Sequence, residues 1–231
     1  MTTVGLVGGL GPESTIDYYR RIIDGWQRHE PATTPSIVID SLDPNRALHL
    51  AQYDRDALFD YIFGSMRRLT GAAVDFIAIT ANTPHLLYDE LAGASTCPMI
   101  SIVEVCAEEA RRRGILRPLL LGTRFTMEGV FFPEVLARFG IQVVTPEDDD
   151  RRWVHERYVN ELLIGDFRAE TRRDVVALIE RLRDRYAIDA VILGGTELPL
   201  LLGMKTVAGL PVLDTTELHV DAIVERLRRP S

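Results

Sequence analysis

Two short stretches each gather side chains that could move a proton or orient a polar ligand. Thr80, Asn82, Thr83 and His85 stand together in "TANTPH", and Thr196 and Glu197 close "LGGTE". An imidazole, or a carboxylate withdrawn from water, can exchange a proton near neutral pH. Threonine hydroxyls can both donate and accept a hydrogen bond. Arg46, in "DPNR", and Arg168, in "GDFR", bring planar guanidinium groups that can clamp both oxygens of a carboxylate. A third stretch, "GGLGPEST" at 8–15, offers backbone N–H groups around Gly9 at a helix start. Free donors and the helix dipole favour an anion there. Each residue also has an ordinary structural use. Asn82 and Thr83 can cap a helix from Pro84, His85 can be packed, Glu197 can favour the positive end of a helix, and the glycines can simply turn a strand into a helix.

These stretches begin where apolar runs stop. "TVGLVGG", "SIVID", "VDFIAIT", "PMISI", "RPLLLG", "IQVVT", "AVILGG" and "LPVLD" read as strands. Amphipathic segments such as "ESTIDYYRRIIDGWQRH" and "RRDVVALIERLRDRY" separate them. Near-continuous apolar strands alternating with helices predict an α/β fold, with mainly parallel sheets covered on both faces. The chain also repeats itself. "LVGG" at 6–9 and "LLGT" at 120–123 are 114 residues apart, as are Asp75 and Asp189, and "CPMISIVE" matches "LPVLDTTE" at an offset of 113. In a chain of 231 residues this predicts two related α/β lobes, expected as 1–99 with 210–231 and as 100–209. Ligands of such sheets bind beyond the carboxyl ends of the strands. The stretches above are therefore expected to line one cleft, with Ala81 placed opposite Gly195 by the repeat.

Composition narrows the function classes. At 46% hydrophobic and 26% charged the chain matches a soluble globular protein. A net charge of −8 argues against nucleic acid and against an anionic membrane surface as partners. No apolar run approaches the length of a membrane span, and "MTTVGLVGGL" lacks the basic region of a signal peptide, so a cytoplasmic setting is expected. Cys97 and Cys106 are too few for a disulfide framework or a cysteine-rich metal site, their segments look like core, and no metal is expected. Lys205 is the only lysine, in a surface connection, so a Schiff-base cofactor would have to depend on it. Ser14 at the third glycine position spoils a dinucleotide fingerprint. No cofactor is expected.

Five motifs in this order, "VGLVGGLGPESTIDYYRRI", "ANTPHLLYDEL", "LLLGTRFTMEG", "LGGTELPLLL" and "VLDTTELHVDA", resemble the aspartate/glutamate racemase family along essentially the whole chain. The resemblance implies two pseudo-symmetric flavodoxin-like lobes and cofactor-independent proton transfer at the carbon α to a carboxylate. It also implies a small acidic amino acid or related carboxylate as ligand, commonly in a homodimer. Asn82, Thr83, Thr123 and Thr196 would contact the substrate, and Arg46 and Arg168 match cationic positions near its side-chain carboxylate. The family's usual acid–base pair is two cysteines, one before the Asn-Thr and one between the Gly and the Thr-Glu. Here those positions are Ala81 and Gly195. Inverting an α-carbon takes a base on each face of the substrate, and neither a methyl group nor a hydrogen can serve. Glu197, His85 and Thr83, with Glu13 and Thr80 near them, are the remaining candidates for acid–base work. An isomerase using these groups is one reading. A decarboxylase or lyase needing a single proton donor, or a dicarboxylate-binding relative without turnover, is the other.

Overall fold

In the computed structural model, which describes residues 2–229, the alternating strands and helices form two α/β units, Met1–Ile102 with His219–Ser231, and Val103–Leu218. The first unit carries β1 (Thr3–Gly8), β2 (Ser36–Ser41), β3 (Phe76–Ile79) and β4 (Met99–Ile100), all parallel in the order β2-β1-β3-β4. Its helices are α1 (Pro12–Gln27), α2 (Pro44–Tyr53), α3 (Arg55–Gly71) and α4 (Tyr88–Ala94), and α5 (Ile102–Arg112) begins at its edge. Side chains alternate faces along a strand, and this fixes the layers. Val4, Leu6, Phe76 and Ala78 pack with Tyr18, Ile22 and Trp26 of α1 and with Val220, Ile223, Val224 and Leu227 of the C-terminal helix. Val7, Ile77 and Ile79 pack on the other face with Leu58, Ile62, Met66 and Leu69 of α3.

The second unit holds β5 (Pro118–Gly122), β6 (Ala190–Gly194), β7 (Thr206–Val207) and β8 (Leu210–Asp214), in the order β5-β6-β8-β7. Its helices are α6 (Arg124–Glu128), α7 (Phe131–Ala137), α8 (Asp148–Asn160), α9 (Ala169–Tyr186) and α10 (Leu198–Leu202), and α11 (Thr215–Arg228) starts at its end. Leu119, Leu121, Val191, Leu193 and Val212 pack against Val154 and Tyr158 of α8 and Val175, Leu178, Ile179 and Leu182 of α9. This sheet is mixed, because β7 returns antiparallel to β8 through a two-residue turn at Ala208–Gly209, both with positive φ. The run at "IQVVT" gives a single bridge, Val144 beside Leu119, rather than a full strand.

The repeat is a repeat of register. Val4 pairs with Phe76 in the first unit and Pro118 with Ala190 in the second, and Ile77 with Met99 as Val191 with Val212. The matched acids explain their own spacing. Asp75 accepts the Thr3 N–H at 2.7 Å, and Asp189 accepts the Arg117 N–H at 3.0 Å, so each ties down the first residues of its neighbouring strand. The boundary expected at 210 lies after 218 instead. Hydrogen bonds between β8 and β6 keep 210–214 in the second sheet, and only the later turns of α11 pack with the first. Asp214 caps α11, accepting from the N–H groups of Thr216 and Glu217 at 2.9 and 3.0 Å. Among the described residues no helix is long and apolar enough to cross a membrane.

Candidate active site

In the first unit, pairing of Val7 with Ile79 makes the Gly8–Gly9 turn and the Thr80–Ala81 segment leave the sheet side by side. Gly9 has φ +78, and a Cβ there would lie 2.2 Å from the Leu42 carbonyl oxygen, so the turn requires glycine. Its N–H is not offered to a ligand. It donates to Thr15 Oγ1 at 2.9 Å, and Thr15 lies 3.3 Å from the Thr80 hydroxyl, which also donates to the Val7 carbonyl at 3.2 Å. Gly9 and Thr80 thus build the loop, and Glu13 is exposed on the first turn of α1.

Asn82 does not cap the turn that follows it. A 3₁₀ turn at Thr83–Leu87 begins there without any side-chain capping hydrogen bond, and Asn82 is buried beside the half-buried Thr83. His85 does not keep its acid–base role. Its Nδ1 lies 3.0 Å from the Ala81 carbonyl, and its Nε2 accepts the Ile102 N–H at 3.2 Å. A carbonyl can only accept and an amide N–H can only donate, so the ring is neutral with its proton on Nδ1. Burial, and then the nearby His219, push its pKa down to about 3. No nitrogen remains for a substrate proton.

Arg46 is exposed at the start of α2, its guanidinium stacked over the Tyr61 ring at 4.5 Å. Its backbone N–H helps complete the Asp43 cap of that helix. Arg168, in the second unit, is differently placed. Its guanidinium pairs with Asp166 at 2.6 Å and with Glu161 at 3.2 Å. The buried Glu161 is held in addition by Arg157 at 2.6 Å and by the Thr171 hydroxyl at 2.5 Å. The expected clamp is thus already neutralised by the chain's own carboxylates.

The second unit assembles the richer set. Pairing of Gly122 with Gly194 brings Thr123 alongside Gly195. Thr123 caps α6, accepting the Thr126 N–H at 3.3 Å. Thr196 donates its hydroxyl to Glu197 Oε2 at 3.1 Å, and both are buried. Tyr158 reaches in from α8 and donates its hydroxyl to the same Glu197 oxygen, while the Glu197 N–H points at the phenol oxygen at 3.4 Å. Burial, and then the Glu197 charge, hold the phenol proton well above the usual tyrosine range. A Cβ built on Gly195 would sit 2.3 Å from Tyr158 Cε2 and 2.7 Å from its hydroxyl oxygen.

Tyr158 is the residue that sequence reasoning missed. Its spacing from Val154 and Leu162 marks one apolar stripe of a helix. The available signal was that a buried tyrosine needs a partner for its hydroxyl. The two thiols are elsewhere. Cys97 donates to the Val74 carbonyl at 3.5 Å, and burial pushes the fully enclosed Cys106 thiol up to about 12. Neither is a candidate base.

A family model described as Asp/Glu/Hydantoin racemase matches residues 7–223. The chain belongs to that family. It is 26% identical over 219 residues to the "Broad specificity amino-acid racemase RacX" of Bacillus subtilis, covering 92% of each chain. It is 32% identical to PH1733, an aspartate racemase homologue from Pyrococcus horikoshii, with a TM-score of 0.82 over 99% of this chain and 100% of that one. A Picrophilus torridus aspartate racemase, 19% identical with a TM-score of 0.81 over 98% and 94%, shares the fold.

Proposed function

We propose that this racemase-family chain is a cofactor-independent enzyme moving a proton at the carbon α to a carboxylate, in a small acidic amino acid or a related acid. It does so without a thiol pair. The family match over residues 7–223 carries the reading, and the buried polar set at Thr123, Thr196 and Glu197 supports it. One observation favours chemistry that needs only a single proton-transfer group, such as decarboxylation or elimination. Position 81 holds a methyl group, and both His85 nitrogens are engaged.

Proton NMR of each enantiomer of aspartate and glutamate in D₂O tests both. Loss of the α-proton signal with inversion indicates racemisation, and loss with retention indicates a one-faced enzyme. A persistent signal, with binding still visible as a thermal shift, would sink the acidic amino-acid reading and leave another carboxylate reaction or a carboxylate-binding relative. The two arginines should separate in the same assay. Arg46→Gln is expected to weaken ligand binding about tenfold, the loss of one charge-assisted interaction. Arg168→Gln should change it less than about twofold, because that guanidinium already has two acids. Titration calorimetry reads the difference, and equal losses would remove the distinction.

A further inference from the structure

Gly195, at the end of β6, has its side-chain space taken. The phenol end of Tyr158 lies where a side chain at 195 would begin, with Cε2, the hydroxyl oxygen and Cζ at 2.3, 2.7 and 2.8 Å from a built Cβ. In the family pattern that space belongs to the second thiol. The hydroxyl there is not an idle filler, because it donates to Glu197 Oε2 and receives the Glu197 backbone N–H at 3.4 Å. Thr196 donates to the same carboxylate oxygen at 3.1 Å, which fixes that oxygen from a second side.

We propose that the Tyr158 hydroxyl, backed by the Glu197 carboxylate, is the proton-transfer group of the second unit and stands in for the missing thiol. This rests on the reading of the chain as an enzyme working α to a carboxylate. In the forward step the substrate Cα–H bond breaks and the phenol oxygen takes that proton. The phenol's own proton passes in the same movement to Glu197 Oε2. The electron pair left on the α-carbon is delocalised into the substrate carboxylate, and the negative charge of Glu197 is cancelled. In the reverse step Glu197 returns a proton through the phenol to the same face. No oxidant, metal or free base enters.

Coupling to Glu197 is what the electrostatics require. Buried beside a carboxylate, Tyr158 does not ionise alone near neutral pH, so it acts as a base only by handing its proton on. The Glu197 N–H aimed at the phenol oxygen stabilises charge that appears there in transit. A single relay on one face makes exchange with retention the expected outcome.

The test is α-proton exchange in D₂O by wild type, Tyr158→Phe and Glu197→Gln, with KM and thermal midpoint measured for each. Phenylalanine keeps the ring that fills the space at Gly195. Glutamine keeps an acceptor for the phenol but cannot take its proton. Both variants should retain KM within about threefold and lose turnover by about a hundredfold or more, the usual scale of general acid–base catalysis. A wild type that exchanges while Tyr158→Phe and Glu197→Gln exchange as fast overturns the relay and leaves the enzyme reading standing. A wild type that exchanges neither aspartate nor glutamate overturns the enzyme reading for the acidic amino acids, and the relay on them with it. Loss that lies wholly in KM assigns the pair to ligand positioning and also overturns the relay.

Discussion

Gly195→Ala will destabilise the protein by about 1–3 kcal/mol, the usual cost of forcing an extra methyl group into a filled site. The new Cβ arrives 2.3 Å from Tyr158 Cε2, within a ring that is 3% exposed and packed in the second unit's core. Gly195 is outside the positive-φ region, so the glycine is required for room and not for backbone freedom. The three nearest atoms all belong to Tyr158, which makes the effect separable. Tyr158→Ala alone opens a cavity and should cost about 3–5 kcal/mol, as for other buried aromatic truncations. With Tyr158→Ala in place, Gly195→Ala should cost little or stabilise, since the methyl group then enters the space the ring has left. Urea unfolding of the wild type, both single variants and the double closes the cycle. Additive losses would mean that the ring does not occupy the side-chain space at 195. A cysteine at 195 would meet the same ring, so a thiol at that position and the phenol in its present place compete for one space. That competition gives the sequence departure a physical meaning: the space is filled, and filled by another titratable group.

Much of this was written in local pattern, and the exceptions share a cause. Strands such as "VGLVGG" and "AVILGG" are legible because a buried parallel strand needs an unbroken apolar run. The repeat was legible because the same register demands the same acid at 75 and 189, where each carboxylate secures a neighbouring backbone N–H. The placement of Thr123 beside Gly195 follows from that register alone. What failed depends on partners distant in sequence. Arg168 is the exception, since its partners Asp166 and Glu161 lie only two and seven residues away, and what hid them is that the chain turns back there without a periodic pattern. Nothing near "TANTPH" shows that Ile102, 17 residues on, donates its N–H to His85. Tyr158 meets Glu197 across 39 residues, and its own helix spacing labels it as core. Long-range side-chain pairing leaves no periodic trace, so the site's framework was readable and its proton inventory was not.

The proton inventory of the first unit predicts its acid stability. Unfolding free energy should fall by about 4 kcal/mol between pH 7.5 and pH 5, about 2 for each of two buried histidines. His85 is held neutral by the Ala81 carbonyl and the Ile102 N–H. His219 is held neutral by the Ile100 carbonyl, 3.1 Å from Nε2, and by the Tyr18 hydroxyl, 3.0 Å from Nδ1. A carbonyl only accepts, so His219 carries its proton on Nε2 and Nδ1 receives the phenol hydrogen. Adding a proton to His85 would set two donors, its Nε2–H and the Ile102 N–H, against each other. At His219 the Tyr18 hydroxyl can instead rotate to accept. Burial brings the two pKa values down to about 3 and about 4. The folded values lie below the ordinary 6.5, so the stabilisation is complete above pH 6.5 and is lost as pH falls, because the unfolded chain takes protons first. The half-buried His155, also depressed by burial, adds to the loss with the same sign. Denaturant titrations at half-unit pH steps should approach a slope of about 2.7 kcal/mol per pH unit just above pH 5, with both buried histidines charged only when unfolded. His219→Gln should lower stability at pH 7.5 and about halve that slope, since one neutral ring remains. A flat profile from pH 7.5 to 5 would mean that both rings are charged in the folded protein, and a halved slope in the wild type that one is; either result would overturn the corresponding tautomer.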